Sequence, residues 1–269
     1  MTKGKDISRR GFLFGVAFAV MFVGSSMADV TQGFRIMSYN VKHGEGMDKR
    51  LDLARTADVV KRTNPTYVGL QEIDQMTRRI GGTNTCEFIS ARCGMHATFA
   101  KAMPSQGGEY GNALLSREAP LSVRKYPLPP PPNRKKGLRE PRVLVMCEFK
   151  DFWVGTMHLN GERNAEDSVV PLVRRAIEEC AASKPVFVTG DWNTRPNSDM
   201  LKRIKEFVTI LSPTDRPTVN DFGNCIDYIA VDTAHAKDFE VVATDVIQEL
   251  VVSDHRPIYV DLKPSKQVK

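Results

Sequence analysis

Long apolar runs are scarce in this sequence. The one at residues 12–23 falls short of the about 20 residues needed to cross a bilayer. Cysteine is scarce too, with five in 269 residues and none in a CxxC or Cys/His cluster, which removes the usual zinc spacings. An odd number leaves at least one thiol free or intermolecular. Cys86 and Cys93, seven apart on an expected helix, stand roughly 10 Å apart by the helical rise, too far for a bridge. No segment repeats another, so solenoid and propeller arrays are excluded. What remains is ordinary for a globular chain, 41% hydrophobic and 26% charged, and long enough for one large domain or two small ones.

The N-terminus is set apart. Lys3, Lys5, Arg9 and Arg10 precede the apolar run, and Ser25, Ser26, Met27 and Ala28 follow it. Charged head, short apolar stretch and small residues are the pattern of a secretory signal, with cleavage expected after Ala28. The segment Ser8-Arg9-Arg10-Gly11-Phe12-Leu13 has a twin-arginine character, with a Sec signal or an uncleaved anchor as the alternatives. The expected division is therefore a signal at 1–28 and a single domain at 29–269, exported to the periplasm or beyond and without stable membrane insertion after cleavage. Removing four basic residues and one acidic residue lowers the net charge from +6 to +3. That is too little to argue for nucleic acid.

Along the rest of the chain, apolar strands and helices alternate. Strands are expected at 34–39, 66–70, 96–102, 112–116, 143–149, 152–156, 186–189, 225–231, 239–244 and 257–262. Asp48 is positioned to cap a helix carrying Leu53, Ala54, Ala57 and Val60, which Asn64-Pro65 stops. A helix over 84–92 ends at Gly94. Another carries Val169, Leu172, Val173, Ala176, Ile177 and Cys180, with Pro171 in its first turn. Residues 200–207 suit one more. Tyr110 falls in a Gly-Gly-containing loop, and Arg78 and Arg79 in a polar loop at 74–83. Residues 127–132, with five prolines, read as exposed polyproline-like backbone. The basic cluster Arg134, Lys135, Lys136, Arg139 and Arg142 follows, in a long surface loop rather than an interdomain linker. Frequent hairpins point to largely antiparallel or mixed sheets.

Chemistry gathers where strands end. Asn40, Glu72, His158, Asp191 and Asn193 each follow an apolar strand, Asp254 and His255 precede one, and Asp227 sits early in its own. Asp191 and Asn193 alone would fit an Asx turn. So many strands ending in Asn, Glu, His and Asp favour one shared cleft, reached if antiparallel neighbours bring starts beside ends.

At these residues the chain resembles the endonuclease/exonuclease/phosphatase superfamily of metal-dependent phosphoesterases. The carriers are Ser38-Tyr39-Asn40, Leu70-Gln71-Glu72, Thr156-Met157-His158-Leu159, Gly190-Asp191-Trp192-Asn193, Ile226-Asp227-Tyr228 and Ser253-Asp254-His255-Arg256-Pro257, in the family's order. The segments at 110–116 and 126–129 look like an exported bacterial branch. The resemblance implies an α/β fold, a four-layer αββα sandwich of two mixed, largely antiparallel sheets flanked by helices. It also implies Mg²⁺ or Mn²⁺, with Glu72 as principal ligand, Asn40 in support through its amide oxygen or a water, and Asp254 as a second ligand or a helper of His158. Asp191 would activate water, Asn193 would donate to the developing charge, and His255 and His158 would bond phosphoryl oxygens. Asp227 would orient His255, on the expectation that their strands lie side by side.

Arg78, Tyr110, Asn112 and Arg142 are candidates for substrate contact. The expected substrate is a small-molecule or lipid-headgroup phosphoester, since the basic loop holds no aromatic residue to stack on bases. A secreted nuclease of the same superfamily is the alternative. A binding protein that has lost catalysis is a more distant one.

Overall fold

The computed structural model describes residues 1, 33–130, 140–161 and 166–265. The expected signal, save Met1, and the basic residues 134–136 and 139 lie outside them. Two six-stranded sheets face each other. The first contains β1 (Phe34–Asn40), β2 (Tyr67–Gln75), β3 (His96–Ser105), β4 (Gly108–Ser116), β11 (Phe239–Val246) and β12 (Ile258–Pro264), in the order β11-β12-β1-β2-β4-β3. The second contains β5 (Ser122–Leu128), β6 (Arg142–Glu148), β7 (Trp153–His158), β8 (Val186–Asp191), β9 (Val208–Ile210) and β10 (Asp227–Asp232), in the order β5-β6-β7-β8-β10-β9. Helices α1 (Leu53–Thr63) and α2 (Thr85–Cys93) cover the outer face of the first sheet, and α3 (Glu166–Ala181) and α4 (Asp199–Ile204) that of the second. This is the expected αββα sandwich. Among the described residues no helix is long and apolar enough to cross a membrane.

Burial accounts for the layers. In β8 all six residues are buried, as its lack of polar alternation predicts for a central strand. The inner core joins Phe34, Ile36 and Tyr67 of one sheet to Val145, Val154, Phe187 and Ile229 of the other. At the starts of β1 and β8 that core is aromatic: Phe34 stacks on Phe152 at 4.7 Å and meets Phe187 edge-on at 5.6 Å. Towards the strand ends it turns polar. Gln71 Nε2 donates across the sheets to Thr156 Oγ1 at 2.8 Å. Gly69 lets them approach there, since a Cβ on it would lie 2.1 Å from Thr189 Oγ1. One end of the sandwich is therefore clamped by apolar packing, and the other is left for polar groups.

Several local expectations give way. Asp52, not Asp48, caps α1, its Oδ1 accepting from the backbone of Ala54 and Arg55. Asp48 pairs with Arg55 instead, because residues 45–51 close on themselves through a bridge between Glu45 and Leu51. Pro171 sits in the second turn of α3, which begins at Glu166. Tyr110 belongs to β4, not to a loop. The proline-rich stretch begins inside β5, where Pro127 is tolerated because β5 is an edge strand, and Leu128 is buried.

Candidate active site

Three of the expected residues arrive on two parallel strand pairs. Asn40 closes β1 beside Gln71 of β2, and His158 closes β7 beside Asp191, the last residue of β8. The antiparallel pair β8 and β10 sets Asp227 opposite Asp191. Parallel pairing brings the strand ends to one side, and the antiparallel pairs β8/β10 and β1/β12 set the starts that carry Asp227 and, just ahead of β12, His255 beside those ends, as expected.

Glu72 reaches this edge through an irregularity. From Leu70 to Ile73, β2 advances three residues while β4 passes only from Ala113 to Gly111. Gln71 and Glu72 therefore oppose Asn112 alone, a β-bulge, and Glu72 takes a left-handed backbone (φ 58°). Asn193, beyond β8, does the same at φ 50°. Each such conformation costs of order ~1–3 kcal/mol and persists where the surroundings over-determine it, commonly at functional sites.

The contacts centre on Asp191. Asn40 Nδ2 donates to Asp191 Oδ2 at 3.0 Å and to Glu72 Oε1 at 3.1 Å. Its amide oxygen accepts from the Lys42 N–H at 3.1 Å, so the nitrogen, not the expected oxygen, faces the carboxylates. Asp191 Oδ1 accepts from the Asn193 N–H at 2.9 Å. His158 Nε2 and His255 Nε2 lie 3.4 and 3.6 Å from Asp191 Oδ2. Asn193 Nδ2 lies 2.9 Å from His158 Nε2 and donates to Leu159 O.

His255 and Asp227 meet as expected, by another route. Their strands are not neighbours: β10 lies in the second sheet, and His255 precedes β12 of the first. The contact crosses the sandwich, His255 Nδ1 lying 2.9 Å from Asp227 Oδ2. Thr218 Oγ1 donates to the same Oδ2 at 2.6 Å, a support the sequence gives no sign of.

These environments separate the protonation states. Burial by itself would lower the His255 pKa, but the Asp227 and Asp191 carboxylates outweigh it and hold the imidazole cationic. Burial lowers the His158 pKa well below its ordinary value, and the charge of Arg142 adds to this, so His158 is neutral. Burial raises the pKa of both Glu72 and Asp191.

A hard divalent cation fits the Glu72 side. Its desolvated carboxylate has no ion-pair partner among the described residues, and one amide donor is shared between it and Asp191. A cation is what would restore both to full charge. Asp191, Asp227 and His255 also bring three ligand atoms within 4.8 Å of one another. Their chemistry is less suited to a metal, because the His255 nitrogen facing Asp227 is engaged and a cationic imidazole has no lone pair to offer.

The cleft above these groups measures about 430 Å³, and Arg79, Tyr110, Glu140 and Arg142 are among its walls. Arg142 is held by Glu140 (2.9 Å) and Asn160 (3.0 Å) and lies 3.4 Å from the Tyr110 hydroxyl. Arg78 is not in the wall. It is exposed, and its neighbour Arg79 takes the place, fixed by the buried Asp74. Both arginines stand in a single-turn 3-10 helix whose phase the sequence does not betray. Asn112 faces the inter-sheet space and donates to Val143 O at 2.9 Å. Asp254 does not assist His158; it pairs with Lys42.

Comparison with known proteins agrees with this picture. A sequence search of curated proteins finds no match. Among solved structures, the chain is similar to an endonuclease/exonuclease/phosphatase from Beutenbergia cavernae DSM 12333, with TM-score 0.69 and 18% identity over 87% of this chain and 72% of that one. A mannosyl-6-phosphatase from Bacteroides thetaiotaomicron VPI-5482 matches at TM-score 0.66 and 18% identity, over 85% of this chain and 99% of that one. The human Nocturnin catalytic domain with bound sulfate matches at 0.67 and 15%, over 87% and 94%. At these identities the likeness speaks for the fold. The sequence itself matches the model of the Endonuclease/Exonuclease/phosphatase family over residues 37–255, a span that holds every site residue from Asn40 to His255, and the chain therefore belongs to that family.

Proposed function

We propose that this chain is an exported, divalent-metal-dependent phosphoesterase acting by in-line attack of an activated water. The observation that carries the proposal is the convergence of Glu72, Asn40, Asp191, Asn193, His158 and the Asp227–His255 pair on one cleft. Glu72 would hold Mg²⁺ or Mn²⁺ with Asn40 beside it, and the bound ion would neutralise charge on a phosphoryl oxygen. Asp191, anchored by the Asn193 N–H, is placed to accept the proton of the attacking water, and its raised pKa suits a base working near neutrality. Cationic His255 donates to a phosphoryl oxygen, and neutral His158 and the Asn193 amide add further polar contacts.

Replacing Glu72 with glutamine tests the metal assignment. The substitution keeps size and hydrogen bonding but removes the charge a hard cation needs. Turnover should fall by about 100-fold or more and Mn²⁺ affinity should drop, with the circular dichroism spectrum unchanged. Unaltered turnover and metal dependence would remove Glu72 as a ligand.

A small phosphoester or lipid headgroup is the proposed substrate in preference to nucleic acid. In support, both cleft arginines are already neutralised by carboxylates, Arg79 by Asp74 and Arg142 by Glu140, leaving little net charge for a polyanion. Arg142 and Tyr110 in the cleft wall are the proposed substrate contacts.

Export is part of the same proposal. All five cysteines are buried and unpaired, which supports a fold completed without disulfides and suits export of a folded chain. Changing Arg9 and Arg10 to lysine should leave precursor in the cytoplasm on fractionation. Normal maturation of that variant would exclude the twin-arginine route.

A further inference from the structure

Asp254 has a partner the sequence does not announce. Its Oδ2 lies 2.9 Å from Lys42 Nζ, and the two side chains are only 25% and 21% exposed. The backbone is bent to achieve this. Lys42 (φ 44°), His43 (φ 45°) and Gly44 (φ 90°) run consecutively through left-handed conformations, unfavourable for the first two because Cβ crowds the following carbonyl oxygen. Backbone bonds from Gly44 N to Val41 O and from Glu45 N to Lys42 O, both 2.8 Å, close the turn. Ser253 ties it to the neighbouring loop: its Oγ donates to Asn40 O at 2.8 Å and accepts from the His255 N–H at 3.2 Å. Lys42 thus acts at two points. Its backbone N–H turns the Asn40 amide nitrogen towards Glu72 and Asp191, and its side chain neutralises Asp254.

We propose that the Lys42 ammonium takes the place of a second divalent cation at Asp254, so that the site binds one metal, at Glu72, with Lys42 as a positioning residue. The inference rests on the metal reading of Glu72 given above. A carboxylate already engaged by an ammonium in a shielded position offers a second ion little unneutralised charge. Seating that ion beside Lys42 would set like charges together where screening is weak. A tethered ammonium is also present at every ion concentration, whereas a weakly held metal is not.

Equilibrium dialysis of the full chain against Mn²⁺, followed by elemental analysis, reads the stoichiometry. Wild type should hold about one Mn²⁺ per chain, and so should Lys42→Arg, which keeps the cation. Lys42→Met should rise to about two, and the second should vanish in Lys42→Met/Asp254→Asn. Asp254→Asn alone should stay at one, a comparison that serves even if the methionine variant fails to fold. Two ions in wild type with one lost in Asp254→Asn, or a folded Lys42→Met that still holds one, overturns the proposal. Wild type that binds no Mn²⁺, or whose binding is indifferent to Glu72→Gln, overturns the metal reading itself and this inference with it.

Discussion

Asp191→Asn is expected to lower kcat by about 10²- to 10⁴-fold, the range that general-base catalysis contributes. Asparagine fills the same volume and can still accept from the Asn193 N–H, so the loop beyond β8 should hold its form. What it lacks is the basic oxygen. It also lacks the charge that faces Asn40 Nδ2 at 3.0 Å and the two histidines at 3.4 and 3.6 Å. Desolvation already disfavours that charge in the folded state, so its removal should not cost global stability, and thermal unfolding should stay near the wild-type temperature. Turnover measured alongside circular dichroism separates the two effects. A folded variant retaining more than about a tenth of wild-type kcat would remove Asp191 as the base.

The Asp227–His255 pair carries the second large effect. His255→Ala should lower kcat by about 10²-fold or more, because it deletes a cationic donor that two carboxylates hold at the cleft. Asp227→Asn should approach the same loss while changing KM little, since the carboxylate acts through the ring it holds at 2.9 Å. Its fold is also supported by Thr218, which keeps a partner for the asparagine. Residues acting as one unit are non-additive, so the double variant should lose little beyond His255→Ala. Losses that multiply fully would show that the two residues act separately.

The reach of the sequence can be judged from particular residues. Asn40, His158 and Asp191 were legible because each closes a buried apolar strand, where a polar side chain is conspicuous. The alternation of strands and amphipathic helices likewise conveyed mixed sheets with helices, while the four layers followed from the family resemblance. Long-range features were not legible. The bulge that presents Glu72 depends on its register with β4, some forty residues on, and nothing local to Gln71 marks it. Whether Arg78 or Arg79 faces the cleft depends on the phase of one 3-10 turn and on the buried Asp74. Strand β5 was hidden by its proline, whose missing N–H matters only in a strand paired on both sides. The contact of Lys42 with Asp254 joins segments far apart in the chain, and only the closing of the sandwich reveals it, as it does the cross-sheet route by which Asp227 meets His255.

The most direct test of the account is hydrolysis of bis-p-nitrophenyl phosphate and p-nitrophenyl phosphate by the full chain, with Mg²⁺, with chelator, and with Mg²⁺ restored. Sphingomyelin, phosphoinositides, sugar phosphates, RNA and plasmid DNA belong in the same series. The account predicts hydrolysis of a small phosphoester that chelation abolishes and Mg²⁺ or Mn²⁺ restores. Hydrolysis unaffected by chelator, or no hydrolysis of any phosphoester by folded protein at saturating metal, would contradict it.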